Sequence, residues 1–225
     1  NNEMDCAKHL FQRQIDALIV STVLPETTDF YRQSRIPVIG FDRRISSDNI
    51  MNVETDDEGD ASRLAQQLLR QKSYKRILFL GALPELPTSR KRENGFCSAL
   101  KERSVSTEFL YATQFRSESA ARVFARWLTE NSLPDAIFVT SLTLLQGVVR
   151  ILLQQEKGIP KDLDIATFGD NELLDLLPNK VICCVQNYAK VADSLLHLVV
   201  SKLKNKKHHR AQAVSVRDIV YHHCG

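Results

Sequence analysis

Short strand-forming stretches alternate with amphipathic helical stretches along the whole chain, and this alternation constrains the fold more than any other feature. The helical stretches carry apolar residues at the spacing of a one-faced helix, as in Ala61, Leu64, Ala65 and Leu68. Strands connected by such helices form βαβ units, so the pattern predicts an α/β fold with parallel sheets and helices on both sheet faces. The predicted strands are residues 17–21, 38–42, 49–53, 77–81, 109–112, 136–140, 165–168, 181–185 and 214–220.

The composition of the 225 residues excludes several classes of protein. A formal net charge of +3 is too small for the strongly basic surface of a typical nucleic-acid-binding domain. No apolar stretch is long enough to span a bilayer and no secretory signal is visible at the amino end, so no membrane partner is expected. The five cysteines are odd in number and include no C-x-x-C pair, which predicts reduced thiols in a cytoplasmic protein.

The motifs of common enzyme classes are missing from the sequence. The eight glycines form neither a dinucleotide-binding fingerprint nor a phosphate loop, and there is no G-x-S-x-G or H-E-x-x-H string. Four of the six histidines form the adjacent pairs His208–His209 and His222–His223, and neighbours in sequence rarely converge on one metal ion. The sequence therefore predicts a protein that is not an enzyme and has no catalytic residue, no metal and no cofactor.

Polar residues collect where the predicted strands end, and in a parallel sheet those ends lie at one edge. Each such residue also has an ordinary explanation as a helix cap or a solvated side chain. Taken together they favour a site for a polyol or a phosphorylated sugar, with an arginine-bearing helix start for the anion and an aromatic ring against the sugar. The candidate residues are Ser21, Thr22, Asp42, Arg43, Ser89, Arg92, Phe115, Ser141 and Asp170.

Asp170 illustrates the two alternatives. The strand at 165–168 ends in Gly169, Asp170 and Asn171, and a short leucine-rich helical stretch follows. The carboxylate either caps that helix or contacts a ligand beyond the end of the strand. The sequence favours the ligand and leaves the cap open.

Several strings resemble the effector-binding core of the LacI/GalR family of bacterial transcription regulators, which share the periplasmic-binding-protein fold. They occur in family order over nearly the whole chain: "RQIDALIVST", "IPVIGFDR", "DDEGDASRLAQQLL", "RILFLGALPELPTSRKRENGF", "IFVTSLTLLQGV" and "DLDIATFGDNELLDLL". The strings "GALPEL", "LLQGV" and "IATFGDNELLD" resemble the fructose-repressor branch of that family.

The resemblance implies two Rossmann-like subdomains with a sugar effector between them. The amino-terminal subdomain is expected to hold residues 1–56 and 187–210, and the carboxy-terminal subdomain residues 57–186 and 211–225. Because "NNEMDCAKHLFQRQ" reads as the middle of a helix with no strand before it, we expect the amino-terminal subdomain to be incomplete. The resemblance further implies a helix-turn-helix head that is absent from this chain.

The resemblance also assigns site residues one by one. Arg92 in "RENGF" matches a ligand-contacting arginine, Asp42 matches the aspartate that closes the "VIGFD" strand, and Arg43 after it is typical of the fructose-repressor branch. Phe115 falls near the ring-stacking aromatic and Ser141 at a polar strand-end position. Asp170 lies one position later than the aspartate of most relatives, so either the loop rearranges or Asn171 shares its role.

These observations predict a non-enzymatic sensor in a regulator of carbon metabolism. The implied effector is a phosphorylated sugar such as fructose 1-phosphate, and the implied partners are operator DNA, bound through the missing head, and a second copy of the chain. Leu10 and Phe11, or the leucines after Asn171, could supply the apolar surface of the dimer. The alternatives are a periplasmic sugar-binding protein of the same fold and a Rossmann-type sugar-phosphate enzyme.

Overall fold

The computed structural model describes residues 2–22, 29–42, 44, 45, 47, 50–204 and 213–223. The chain divides into two compact units, which we call the first unit (Asn1–Asp56 and Asn187–Val216) and the second unit (Asp57–Gln186 and Arg217–Gly225). In chain order the elements are α1 (Asn2–Gln12), β1 (Leu18–Val20), β2 (Val38–Phe41), β3 (Met51–Thr55), α2 (Asp57–Leu69), β4 (Arg76–Ala82), α3 (Pro87–Leu100), β5 (Ser106–Ala112), α4 (Ser117–Leu128), β6 (Ala136–Val139), α5 (Leu142–Leu153), β7 (Asp164–Phe168), a 3₁₀ helix (Glu172–Leu176), β8 (Val181–Val185), α6 (Tyr188–Leu203), β9 (Ala213–Ser215) and β10 (Asp218–His222).

The first unit contains a parallel sheet in the order β1-β2-β3-β9. Successive residues of β2 point to opposite faces, and each face has its own apolar partners. Val38 packs with Ala7 of α1 and with Tyr31, whereas Ile39 packs with Val191 and other apolar residues of α6. The predicted α/β pattern is therefore confirmed in this unit.

The second unit contains a six-stranded sheet in the order β10-β8-β7-β6-β4-β5. Every strand is parallel to its neighbours except β10, which runs antiparallel to β8. On β4, Leu78 and Leu80 face a core built with α4 and α5, while Ile77 and Phe79 face a core built with α2 and α3. Both faces of this sheet are covered by helices, as the alternation of strands and helices predicts.

Two glycines allow neighbouring helices of the second unit to approach closely. A Cβ atom at Gly95 of α3 would lie 2.0 Å from the Glu58 carbonyl oxygen of α2. A Cβ atom at Gly147 of α5 would lie 2.2 Å from the Ser117 carbonyl oxygen of α4. Real side chains cannot occupy such space, so only glycine permits these helix pairs to pack at this distance.

The prediction of one strand over residues 214–220 is wrong, because the structure has two strands there in two different sheets. In β9, Val214 aligns with Glu54 in a parallel pair with β3 of the first unit. In β10, Ile219 aligns with Cys184 in an antiparallel pair with β8 of the second unit. Between them, Arg217 Nη1 donates to Asp60 Oδ2 of α2. Residues 213–216 group with the first unit, whereas the sequence analysis expected residues 211–225 in the carboxy-terminal subdomain.

None of the helices that the structure describes is both long enough and apolar enough to cross a membrane.

Candidate ligand-binding site

Polar residues meet at the carboxyl end of the second unit's sheet, where parallel α/β sheets bind ligands. Thr140 follows β6, Gly169 and Asp170 follow β7, and α3 begins a short loop after β4. The turn after β7 depends on Gly169, whose φ of +91° is strained for other residues. Five of the nine predicted site residues belong to this unit: Ser89, Arg92, Phe115, Ser141 and Asp170. The expectation of a single sheet edge is therefore wrong for the other four, which belong to the first unit and its separate sheet.

Arg92 of α3 has the most contacts of the predicted site residues in this unit. Its Nε donates to Asp57 Oδ1 at 2.8 Å, and its Nη1 donates to the carbonyl oxygen of Thr140 at 2.6 Å. The guanidinium carbon lies 4.1 Å from the centroid of the Phe168 ring, close enough for a cation–π interaction. These three contacts restrict the Arg92 side chain, so the orientation of its positively charged guanidinium is fixed.

Arg92 belongs to a cluster of arginines and aspartates, which we call the Arg92 cluster: Asp57, Asp60, Arg63, Arg92 and Arg217. Arg217 Nη1 lies 2.8 Å from Asp60 Oδ2 and 3.3 Å from Asp57 Oδ1. Arg63 Nη2 contacts Asp60 Oδ1 at 2.5 Å and the Arg217 carbonyl oxygen at 2.7 Å. Three guanidiniums thus face two carboxylates within the cluster, and this excess of positive charge favours an anion.

The two predicted serines make local hydrogen bonds. Ser89, in the first turn of α3, donates its hydroxyl to the Ala82 carbonyl oxygen at 2.7 Å and so ties the helix start to the end of β4. Ser141 is the N-cap of α5 and accepts from the Leu144 N–H at 3.3 Å. In that bond the Ser141 oxygen is an acceptor, so its own O–H is not used by the cap.

Asp170 does not cap the following helix, so the structure excludes the capping alternative that the sequence left open. Asn171 is the N-cap of the 3₁₀ helix, and its Oδ1 accepts from the Leu173 N–H at 3.0 Å. Asp170 Oδ1 instead lies 2.9 Å from His222 Nε2 on β10. Asn171 has the more favourable position because its side chain precedes the first helical residue directly.

His222 lies between two carboxylates. Its Nδ1 is 2.7 Å from Asp175 Oδ1, and its Nε2 contacts Asp170. Burial by itself lowers the pKa of this imidazole, but hydrogen bonds to Asp175 and Asp170 and the charges of these carboxylates outweigh burial and raise the pKa of His222 above its usual range.

Phe115 and Lys91 are both accessible. Phe115 lies in the turn between β5 and α4 with 38% of its surface exposed, which suits an aromatic that covers a ligand. Lys91 of α3 is exposed, whereas the side chain of Arg92 beside it is only 18% exposed.

The first unit holds the other four predicted site residues. Ser21 is exposed after β1, and Asp42 is exposed after β2 with a left-handed φ of 64°. Thr22 is buried and donates to Glu3 Oε1 at 2.6 Å, the same oxygen that accepts from the Tyr31 hydroxyl at 2.7 Å. Arg43 lies outside the described residues.

The sequence did not reveal four members of the Arg92 cluster: Asp57, Asp60, Arg63 and Arg217. Asp57 and Asp60 stand in the acidic opening of α2, where an aspartate is usually a solvated helix-start residue. Both are buried instead, at 5% and 0% exposure. The available signal was their spacing of three, which puts both carboxylates on one helix face.

The fold, together with a family model, defines the class of protein. The model of the periplasmic binding protein-like domain matches residues 65–221. The catabolite repressor/activator of Escherichia coli K12 is 43% identical over 206 residues, which is 90% of this chain and 61% of that protein. The fructose operon regulatory protein of Vibrio cholerae is 40% identical over 202 residues, covering 88% of this chain and 61% of that protein.

A solved structure of the same kind matches over almost the whole chain. The crystal structure of the Cra transcriptional dual regulator from Pseudomonas putida in complex with fructose 1-phosphate has a TM-score of 0.82 and 31% sequence identity. The match covers 97% of this chain and 82% of that one. The chain therefore belongs to the LacI/GalR family of transcription regulators and corresponds to its effector-binding core. It spans about three fifths of the length of the Escherichia coli relative.

Proposed function

We propose that this chain is the effector-binding part of a transcription regulator of carbon metabolism. The proposed effector is a phosphorylated fructose, most directly fructose 1-phosphate. The observation that carries the proposal is the position of Arg92. Its side chain is only 18% exposed, and its guanidinium is fixed by hydrogen bonds within a cluster of three arginines and two aspartates. The likeness to the Pseudomonas putida regulator crystallised with fructose 1-phosphate supports it.

Arg92 has the chemistry that a phosphate requires. A guanidinium keeps its charge in proteins and presents five N–H donors in a planar fork, more than its contacts with Asp57 and Thr140 use. A sugar phosphate carries up to two negative charges near neutral pH, because its second pKa is about 6. Arg92 is therefore the proposed phosphate ligand.

The other residues of the second unit would recognise the sugar. Hydroxyl groups of the sugar need donors and acceptors, and its apolar ring face needs an apolar or aromatic cover. The O–H of Ser141 would donate, the Ser89 oxygen would accept, and the Asp170 carboxylate would accept from sugar hydroxyls. Phe115 would lie against the ring.

Effector binding would act through a shift of conformational populations. A ligand that binds one conformation better raises the fraction of that conformation, up to the difference in affinity. In a regulator, the favoured conformation would differ in affinity for operator DNA, which we propose is bound through a helix-turn-helix segment of the longer protein. This function places the protein in the cytoplasm, where operator DNA is found.

We further propose that the protein acts as a homodimer, which would match a two-fold symmetric operator. The 3₁₀ helix leaves Leu173 and Leu176 exposed at 60% and 78%, while Leu174 and Leu177 face the core. In the first unit, Leu10 is 39% exposed and Phe11 packs against the core. Leu173 and Leu176 are therefore the better candidates for an apolar contact.

Calorimetric titration of the chain with a matched panel tests the effector. Fructose 1-phosphate should bind more tightly than fructose 6-phosphate and glucose 6-phosphate, and free fructose should bind weakly or not at all. Tight binding of free fructose would contradict the proposal and favour the alternative, a periplasmic sugar-binding protein. The sequence encoded upstream of Asn1 tests the DNA-binding part, since a helix-turn-helix supports it and a secretory signal contradicts it.

A further inference from the structure

A carboxylate, a thiol and an imidazole converge beside the end of β7. Asp170 Oδ1 lies 2.9 Å from His222 Nε2 and 3.9 Å from Cys183 Sγ, and all three ligand-type atoms lie within 4.8 Å of one another. We call these residues the Asp170–Cys183–His222 cluster. No function assigned above uses the Cys183 thiol or the His222 imidazole.

The fold brings these three residues together from separate strands. In the antiparallel pair of β8 and β10, Cys183 aligns with Val220 and His222 aligns with Val181. Cys183 and His222 are therefore diagonal neighbours on one face of the sheet, a separation that longer side chains can bridge. Asp170 comes from the end of β7, which is the next strand beyond β8. The cluster thus combines two residues of paired strands with one from the turn that follows β7.

A fourth residue orients the imidazole. Asp175 Oδ1 lies 2.7 Å from His222 Nδ1 on the opposite side of the ring from Asp170. Histidines that bind metal ions usually donate their other ring N–H to a carboxylate or a carbonyl in this way, which directs the remaining nitrogen at the metal. The Asp175 contact is therefore a second observation, beside the convergence of the three ligand atoms, that favours His222 Nε2 as a metal ligand.

We propose that Asp170, Cys183 and His222 bind a zinc-type divalent cation, with Asp175 as the residue that positions His222. A mixed sulfur, nitrogen and oxygen set suits Zn²⁺ and its transition-metal neighbours and disfavours Mg²⁺ and Ca²⁺, which prefer oxygen. Three protein ligands leave the fourth tetrahedral position to water.

The geometry is close to what a tetrahedral zinc ion needs. Zinc bonds of about 2.0–2.3 Å separate neighbouring ligand atoms by roughly 3.3–3.6 Å. The separations of 2.9 Å and 3.9 Å bracket that range, and the Cys183 and His222 ligand atoms lie within 4.8 Å of each other. Binding would therefore require the three side chains to close around the ion. On binding, the Cys183 thiol and the His222 Nε2 each release any proton they carry to solvent, and three metal–ligand bonds form.

Cobalt titration of the protein tests the thiol ligand directly. Co²⁺ in a tetrahedral site with a thiolate shows a sulfur-to-cobalt charge-transfer band, and the wild-type protein should develop it to one equivalent. Cys183→Ser should lose the band. Cys184→Ala is the matched control and should keep it, because Cys184 packs in the core on the other face of the sheet. Absence of the band in wild type, or its persistence in Cys183→Ser, overturns the proposal.

Zinc affinity measured by competition with a chelator tests the other residues. Asp170→Asn and His222→Gln should each abolish stoichiometric binding, and Asp175→Asn should weaken it by roughly tenfold to hundredfold. A double change of His208 and His209 to Ala should leave the affinity unchanged, which separates this site from adventitious binding to the histidine-rich segment. Equal affinity in wild type and His222→Gln, with native circular dichroism in both, refutes the site. If Cys183→Ser does not fold, the result for His222→Gln decides the question.

Discussion

The central guanidinium carbon of Arg92 lies 4.1 Å from the centroid of the Phe168 ring. Phe168 is the last residue of β7 and is 4% exposed, so this contact joins the predicted phosphate ligand to the core of the second unit. The bond from Arg92 to Thr140 fixes the same group from β6. Arg92 is therefore a structural residue of the second unit as well as the proposed phosphate ligand.

Two substitutions of Arg92 test its proposed role as the phosphate ligand. Arg92→Ala should weaken fructose 1-phosphate binding by roughly tenfold to hundredfold, because a lost charge-assisted hydrogen bond costs about 1.5–3 kcal/mol. Arg92→Lys should recover only part of the affinity, since an ammonium lacks the planar fork. Calorimetric titration measures both variants. Lys91→Ala is the control: Lys91 is exposed, so an equal loss of affinity in that variant would contradict the assignment.

Asp60 should be essential for the stability of the second unit. Its side chain is 1% exposed and pairs with Arg217, which is 9% exposed. Asp60→Asn removes the nearer carboxylate partner of Arg217, which then keeps only its 3.3 Å contact with Asp57. Breaking a buried ion pair typically costs about 3–5 kcal/mol. Urea unfolding should show a clearly lower midpoint. Glu58→Gln on the same helix is exposed and should leave the midpoint nearly unchanged, and an equal loss in both variants would argue against a specific role of the Asp60–Arg217 pair.

Most strands could be predicted from the sequence because the pattern that indicates a strand is local. Eight of the nine predicted stretches each contain one strand, because apolar strands between amphipathic helices are visible within a short window. The stretch 214–220 was different. The residues on both sides of Arg217 are strand-forming, so the sequence does not show that the pairing partner changes from β3 to β8. Strand partners depend on distant parts of the chain, and periodicity does not contain that information.

The candidate site was predictable to the same degree. Arg92 could be proposed because it lies near a predicted helix start and matches a ligand-contacting arginine in the string "RENGF". Asp60 and Arg217 are 157 residues apart and meet only through tertiary packing. The pairing of Asp170 with His222 on β10 was hidden for the same reason, which left helix capping as an open alternative.

Gly95 should not tolerate a side chain. In Gly95→Ala the new Cβ would approach the Glu58 carbonyl oxygen to 2.0 Å and Ala61 Cβ to 2.9 Å, so α2 and α3 must move apart. Overpacking of this kind costs about 1–3 kcal/mol, measurable as a lower midpoint of thermal or urea unfolding. Ser98→Ala, at an exposed position of α3, is the control and should be close to wild type. A Gly95→Ala protein as stable as wild type would show that the two helices are not closely packed.

The single tryptophan of the chain should report the protonation of Glu108. Arg76 Nη2 lies 2.7 Å from Glu108 Oε1, and the Trp127 indole N–H donates to Oε2 at 3.0 Å. The Arg76 hydrogen bond is the largest cause that lowers the pKa of Glu108, and it outweighs the opposing effect of burial. A lowered folded-state pKa means that the stabilisation is fully present above the usual glutamate pKa and is lost as the pH falls through the lowered value.

Trp127 emission should therefore change with a midpoint below the value of about 4.3 for a glutamate in a peptide. Arg76→Gln should raise that midpoint, whereas Glu130→Gln, at an exposed position, should leave it in place. An unchanged midpoint in Arg76→Gln would show that the ion pair does not control the carboxylate.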